Sequence, residues 1–370
     1  MPVEHHIAMD THCHTTEICV KTRANTPGRT WQVQTNVPAL REAIASVRRP
    51  RYLAFEEGPL ASWLARNLKA DVDRLIVCDP RKNAWIAKGG DKDDPIDAGK
   101  LADLFIGGFL KPVHHPAELS REAFKQLVGL YHERVGHRVM QANKVIGRLR
   151  RWGIVVREVD FDDEAARKQL LDRLPSSKEA PSVRLGVELL LEGYDQAVEQ
   201  ETKLRRQLVR EAKSYEAVVR FTALPGVAWV RAATYFAYVD TPWRFASKQA
   251  LWKYMGIGLE RKTSGDGPVY LGVDPSANRM LKSMILGAAE SAIMQKDNPF
   301  HEQHQRWSKA GISPRNAKRN VGRSMAAVMW GMWKNGGVYD PAKVGVAATN
   351  VGAAAREQAS ACGGNRSDRF

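Results

Sequence analysis

Three short β-prone runs head the chain, HHIAMD, TEICV and RTWQVQT, and whatever follows must pack around the sheet they imply. These short apolar runs alternate with turn residues, Gly28 among them, so residues 5–35 are expected to form a three-strand meander. Asn36 and Pro38 then supply a helix cap and a first-turn proline. Val37, Leu40, Ile44 and Val47 follow at helical spacing. YLAFE (52–56) predicts a strand, 60–68 a short helix with Trp63 and Leu64 on its apolar side, and RLIVC (74–78) a further strand.

Meander, helix, strand, helix, strand is the element order of a ribonuclease-H-like α/β domain, expected over residues 1–116. After Pro112 and Pro116 the pattern changes to long charged helices. Phe124, Leu127, Leu130, Tyr131, Val135, Val139, Val145 and Leu149 form one apolar stripe. Leu185, Leu189, Leu190, Tyr194, Ala197, Leu204 and Leu208 form another, beyond the loop sequence LPSSKEAPS (174–182). Such stripes flanked by charge predict a coiled-coil spacer and oligomerisation element over 117–217, although an ordinary helical subdomain has the same pattern. LPGVAWVRAATYFAYV (224–239) opens a mainly helical third region, 218–345. It contains a Gly-rich stretch from Met255 to Gly272, a helix over 278–294 and a basic helical stretch. The tail, 346–370, is rich in Ala, Gly, Asn and Ser and is expected to be disordered. The expected fold class is therefore α/β followed by mostly α.

Lys and Arg number 56 against 41 Asp and Glu, a formal charge of +15. That excess favours a polyanionic partner, because each neutralised phosphate releases counterions. No apolar window is long enough to span a membrane, and the N-terminus lacks the layout of a secretory signal. Cys13, Cys19, Cys78 and Cys362 show no paired spacing, which disfavours structural zinc and fits a reducing cytoplasm.

Four carboxylates sit where elements end or begin. Asp10 closes the first apolar run, Glu56 closes YLAFE, and Asp94 and Asp97 open a helix in KDDPIDA. Adjacent central strands bring Asp10 and Glu56 to one edge, while Asp97 lies one turn beyond Asp94 on the same helix face. Hard oxygen ligands in this arrangement suit Mg²⁺ and phosphodiester chemistry. Taken singly, each has an ordinary reading as a cap, a turn residue or a strand-end charge. Glu57 is an alternative to Glu56, because a one-residue register shift exchanges them. His12, Cys13 and His14 lack a second ligand pair and read as exposed turn residues.

IAMDTHCHTTEICV, LAFEEGPLASWL, KDDPIDAGKLADL, LPGVAWVRAATYFAYV, KTSGDG and NRMLKSMILGAAESA stand in the order seen in DEDD-type transposases of insertion-sequence family 110. These are described as bridge-RNA-guided recombinases, and the chain resembles them over about residues 5–340. KDDPIDAGKLA is the most specific segment, with Asp93 where the family pattern has Thr; Glu57-Gly58-Pro59 and GVDPSANR also depart from it. The resemblance implies a RuvC-like nuclease domain holding Mg²⁺ on Asp10, Glu56, Asp94 and Asp97. It further implies a C-terminal transposase domain with Ser264 as nucleophile, donor and target DNA as substrates, a structured noncoding guide RNA, and a dimer or tetramer.

Gly265 beside Ser264 leaves an open backbone that DNA can approach, although SGDG is equally a tight-turn sequence. Ser247 and Ser276 read as helix caps. Arg306, Lys309, Arg315, Lys318, Arg319 and Arg323 crowd the last helical stretch, with Trp307, Trp330 and Trp333 nearby. Arg315, Arg319 and Arg323 recur every four residues, which makes one basic face for phosphate contact or for solvent.

Overall fold

The computed structural model describes residues 2–80, 94–116, 118–175, 178, 180–258, 260–264, 267–272 and 277–344, with backbone alone at 94–96, 260–264 and 267–272. The chain divides into two compact units, Met1–Ala117 and Glu118–Phe370. The first is α/β and the second mostly α.

In the first unit the expected meander is present as β1 (His5–Thr11), β2 (Thr15–Lys21) and β3 (Arg29–Gln34). Asn36 caps α1 (Val37–Ala45), its Oδ1 accepting from the Ala39 N–H at 2.9 Å. The chain continues through β4 (Arg51–Glu56), α2 (Ala61–Leu68), β5 (Arg74–Cys78) and α3 (Asp94–Ile106). The sheet order is β3-β2-β1-β4-β5, with β1 to β3 antiparallel and β4 and β5 parallel to β1.

Side-chain alternation divides this sheet into two unlike faces. Ile7, Met9, Ile18, Leu53, Phe55 and Val77 pack against Leu40, Ile44, Leu64 and Leu68 of α1 and α2. Each such burial removes roughly 1.5–3 kcal/mol of apolar exposure, so this face carries the unit's main core. The opposite face is built from small side chains, Ala8, Cys19, Ala54 and Cys78, on which Ala98, Leu101, Ala102 and Phe105 of α3 are seated.

The second unit begins with α4 (Leu119–Arg150), α5 (Glu164–Asp172) and α6 (Pro181–Ala212). α4 and α6 run antiparallel, with Arg138 bonded to Glu201 and Arg134 to Gln200. Their buried positions feed two separate cores. Ala142, Val145, Leu149, Val187, Leu191 and Tyr194 close over Phe161 and Leu170 at one end. Phe124, Val128, Tyr131, Leu208 and Ala212 instead join the large core of the residues that follow. Leu130, Val139, Leu185 and Leu189 of the sequence stripes are exposed.

That larger core contains α7 (Glu216–Phe221), α8 (Trp229–Val239), α9 (Lys248–Tyr254), α10 (Arg279–Met294), α11 (Pro299–Lys309) and α12 (Pro314–Asn335). Tyr235 is fully buried and donates to the Ala326 carbonyl at 3.2 Å. The LPG turn packs closely. A Cβ on Gly226, whose φ is +76°, would lie 2.3 Å from the Ala288 carbonyl oxygen. The Gly-rich stretch holds an antiparallel two-strand ribbon, β6 (Glu260–Ser264) and β7 (Gly267–Gly272). The tail that sequence reading expects to be disordered lies outside the described residues.

Candidate functional site

Parallel pairing of β1 with β4 matches Ala8 to Ala54 and Met9 to Phe55, so Asp10 and Glu56 are the next residues on neighbouring strands. Both share the parity of Ala8 and Ala54 and therefore face the α3 side, at strands about 4.8 Å apart. Asp10 is partly buried and its Oδ2 lies 3.5 Å from His12 Nε2. Glu56 is exposed.

α3 runs antiparallel to β1. Near its C-terminus the Phe105 ring meets His6 edge-on at 5.0 Å, and Asp103 accepts from Lys21 Nζ at 2.8 Å. Asp97 precedes Phe105 by a helical rise of about 12 Å, while Asp10 follows His6 by about 13 Å of strand. Asp97 is therefore level with Asp10, at the edge where Glu56 also ends. It is exposed, 3.8 Å from Lys100 Nζ. Asp94 is the first residue of α3, and its side chain lies outside the described residues.

The register also separates the two adjacent glutamates. Glu57 follows the end of β4, where its N–H donates to the Cys78 carbonyl at 2.8 Å. Its Oε2 is 2.6 Å from His115 Nε2, and His115 Nδ1 is 3.0 Å from Ser62 Oγ in the first turn of α2. Glu57 is thus engaged in a Glu–His–Ser chain, leaving Glu56 as the glutamate on the α3 face.

Two nearby features escaped the sequence reading. Glu17 pairs directly with Asp10 across β1 and β2, on the same face, and is 8% exposed, with Oε1 accepting from Gln32 Nε2 at 2.8 Å. Its place follows from hairpin register, which TEICV does not state by itself. His115 is remote in sequence from Glu57 and Ser62, and no local pattern links them. His12, Cys13 and His14 are exposed at the β1–β2 turn.

Among the described residues no three His, Cys, Asp or Glu side chains are grouped closely enough to hold a metal ion. Their donor set still suits Mg²⁺, which commonly takes one or two carboxylates and completes its shell with water and phosphate oxygens.

In the second unit, Ser264 is the last residue of β6 and pairs with Gly267; its side chain, and Ser276 entirely, lie outside the described residues. Ser247 caps α9, its Oγ accepting from the Ala250 N–H. The basic residues divide into two kinds. Arg306, Lys309 and Arg315 are exposed. Lys318 is 3.5 Å from Glu290, and Arg319 Nη1 is 3.5 Å from Asn316 Oδ1. Arg323 turns inward, donating to the Ile257 carbonyl at 2.6 Å, and burial lowers its pKa from the ordinary arginine value, with Arg319 adding to the shift. It braces the chain just before β6. Trp307, Trp330 and Trp333 pack on the core, and Trp330 Nε1 donates to the Pro242 carbonyl.

This segment, from the end of α7 into α11, is matched by a family model described as "Transposase IS116/IS110/IS902 family", over residues 219–305. Residues 219–305 are thus similar to the domain that the model describes. The chain is also 25% identical over 129 residues to "Transposase for insertion sequence element IS1111A" from Coxiella burnetii (strain RSA 493 / Nine Mile phase I). The match spans about a third of each protein, 34% of this chain and 35% of the relative. Ile257 and Ser264 lie within the matched residues, Arg306 directly follows them and Arg323 lies beyond them, and the carboxylate edge lies in the other unit. No helix among the described residues is long and apolar enough to cross a membrane.

Proposed function

We propose that the protein is an insertion-sequence DNA transposase that cuts and rejoins strands through a covalent serine–DNA intermediate. The sheet order of the first unit supports reading it as a ribonuclease-H-like, RuvC-like nuclease fold. The observation that carries the proposal is the pairing of two features in one chain: a transposase-family domain, and carboxylates at one sheet edge of a strongly basic protein.

In this mechanism Asp10, Glu56, Asp94 and Asp97 would hold Mg²⁺, with Glu56 rather than the His115-bonded Glu57 as the glutamate ligand. Bound there, Mg²⁺ would supply positive charge to phosphodiester oxygens and acidify a hydroxyl. The Ser264 hydroxyl attacks the phosphorus, a phosphoserine bond forms, and a strand hydroxyl leaves with a proton. Reversal of the same step onto another strand rejoins DNA. Arg306, Lys309, Arg315, Lys318 and Arg319 contact phosphate, and Arg323 positions the ribbon that bears Ser264. Donor and target DNA are chosen by pairing with a structured noncoding guide RNA, read by the protein through shape and backbone. The helices of 117–217 assemble a dimer or tetramer in the cytoplasm of a prokaryotic cell, at its nucleoid.

The test is strand cleavage on supercoiled donor DNA with Mg²⁺, with denaturing gels to trap protein–DNA adducts. Ser264→Ala should lose adduct and cleavage while keeping DNA binding, and Asp10→Asn should lose both products as well. Cleavage surviving in Ser264→Ala would identify a water-using nuclease. Products unchanged in both variants would leave only a nucleic-acid-binding protein.

A further inference from the structure

At the end of the α4–α6 hairpin lies a cavity of about 360 Å³, lined by Arg148, Arg151, Trp152, Ser182, Val183 and Gly186. Its volume is at the lower end of small-ligand sites. We propose that this cavity binds an unpaired nucleotide segment, with a base stacked on Trp152 and the flanking phosphates held by Arg148 and Arg151.

The lining has the two components that such binding requires, cations for the backbone and an open aromatic face for the base. Arg148 and Arg151 are exposed, and among the described residues neither enters an ion pair or a side-chain hydrogen bond. Lys144 and Arg150, also exposed, extend the same positive end of α4. The bland alternative is compensation of the helix dipole, since cations favour a helix C-terminus. That alternative explains the arginines but not the tryptophan.

Trp152 is 43% exposed, and among the described residues no aromatic or cationic group lies over its ring. Other tryptophans of this chain are covered by cations. Arg29 lies over Trp31, Lys213 over Trp229, Lys248 over Trp252, and Lys334 over both Trp243 and Trp330. An uncovered indole beside two unpaired guanidinium groups is a poor surface choice in water and a good stacking platform. Gly153, in the left-handed region at φ +71°, follows it in the turn after α4, and a Cβ on Gly186 would meet nothing within 4 Å. The ring is thus approachable from solvent. A base within a duplex presents no free face, so the ligand is unpaired.

The experiment measures binding of the full chain to fluorescent 20-nucleotide dT and rU oligomers and to a duplex of equal length, by anisotropy across a salt series. Trp152→Ala should weaken single-strand binding roughly 5- to 150-fold, while Trp152→Phe retains most of it. Arg148→Ala/Arg151→Ala should lower the single-strand salt slope by about 1.4, two phosphates at about 0.7 each. Loss on rU alone or dT alone would name RNA or DNA as the ligand. The inference is overturned if Trp152→Ala binds both single strands like the unaltered chain. It is also overturned if Phe and Ala weaken single strands and duplex equally, or if the variants change only the oligomeric state in light scattering. The readout needs neither Ser264 nor the carboxylates, so it stands or falls apart from the cleavage reaction.

Discussion

Glu56 and Glu57 offer a sharp test, because adjacent residues of one type are assigned opposite duties. Glu57 is bonded to His115 at 2.6 Å and is 41% exposed at its side chain, whereas Glu56 shares the face of Ala54 and Asp10. A half-exposed ion pair contributes about 1 kcal/mol or less once solvent screening is counted. Glu57→Gln should therefore lower the melting temperature of the first unit by a few degrees and leave Mg²⁺-dependent cleavage within about threefold, as a residue outside the site would. Glu56→Gln removes a proposed ligand oxygen. Even outer partners of a metal ligand cost roughly 10–100-fold, so its loss should exceed about 100-fold in cleavage rate. The assay is single-turnover cleavage over a Mg²⁺ titration, with melting curves of both variants alongside. An inactive Glu57→Gln beside an active Glu56→Gln would refute the register argument and with it the proposed site.

Four further outcomes follow from the geometry. Gly226→Ala places a methyl 2.3 Å from the Ala288 oxygen and 2.8 Å from the Ala292 nitrogen at a φ of +76°; about 3 kcal/mol of strain should lower the melting temperature roughly 6–12 °C, and an unchanged melt contradicts the packing described. Burial is the main cause lowering the pKa values of His6, where Glu4 opposes it, and His132 from 6.5, so the unfolded chain binds more protons; stability should be full above about pH 6.5 and fall as pH drops through it, and His132→Gln melts should show a weaker fall from pH 7 to 5. Ala54→Leu overfills the fully buried face beneath α3 by about 1–3 kcal/mol, and should impair cleavage more than oligonucleotide binding. Asp10→Asn should raise DNA affinity in EDTA by removing a repulsive charge yet lower it in Mg²⁺; equal effects in both buffers would argue against a metal at this edge.

What could be read from the sequence was what is local. The meander, the Asn36 cap and the strands ending at Glu56 and Cys78 depend on neighbours within a few positions, and each formed where its pattern lies. The nearness of Asp10 to Glu56 needed only one further assumption, that β1 and β4 are neighbours. Glu17 needed the hairpin register, and His115 needed the return of the chain along β5 through the Cys78–Pro112 bridge. Arg323 shows the opposite failure. Its spacing from Arg315 and Arg319 implies a shared face, but helix burial rises along α12 and turns that guanidinium inward to Ile257. Val269, Tyr270 and Leu271 are β-prone, yet the glycines around them concealed the β6–β7 ribbon.

Charge makes the acidic edge informative. In a chain of net charge +15 a polyanion is attracted overall, and a group of carboxylates repels it locally. Lys100 beside Asp97 offsets part of that repulsion, and the buried Glu17 adds to it. A carboxylate edge is therefore a liability for simple binding, because its charge repels phosphate. It would become an advantage if, as proposed, a divalent ion were held there, since the charges that repel phosphate would attract the ion and its remaining valences would face phosphate oxygens. The small side chains of Ala8, Ala54, Ala98 and Ala102 serve this arrangement by letting α3 lie close to the sheet, which brings Asp97 level with Asp10. Bulk in that layer would push α3 away from the sheet and part Asp97 from Asp10, so Ala54→Leu tests the acidic edge without altering any charged residue.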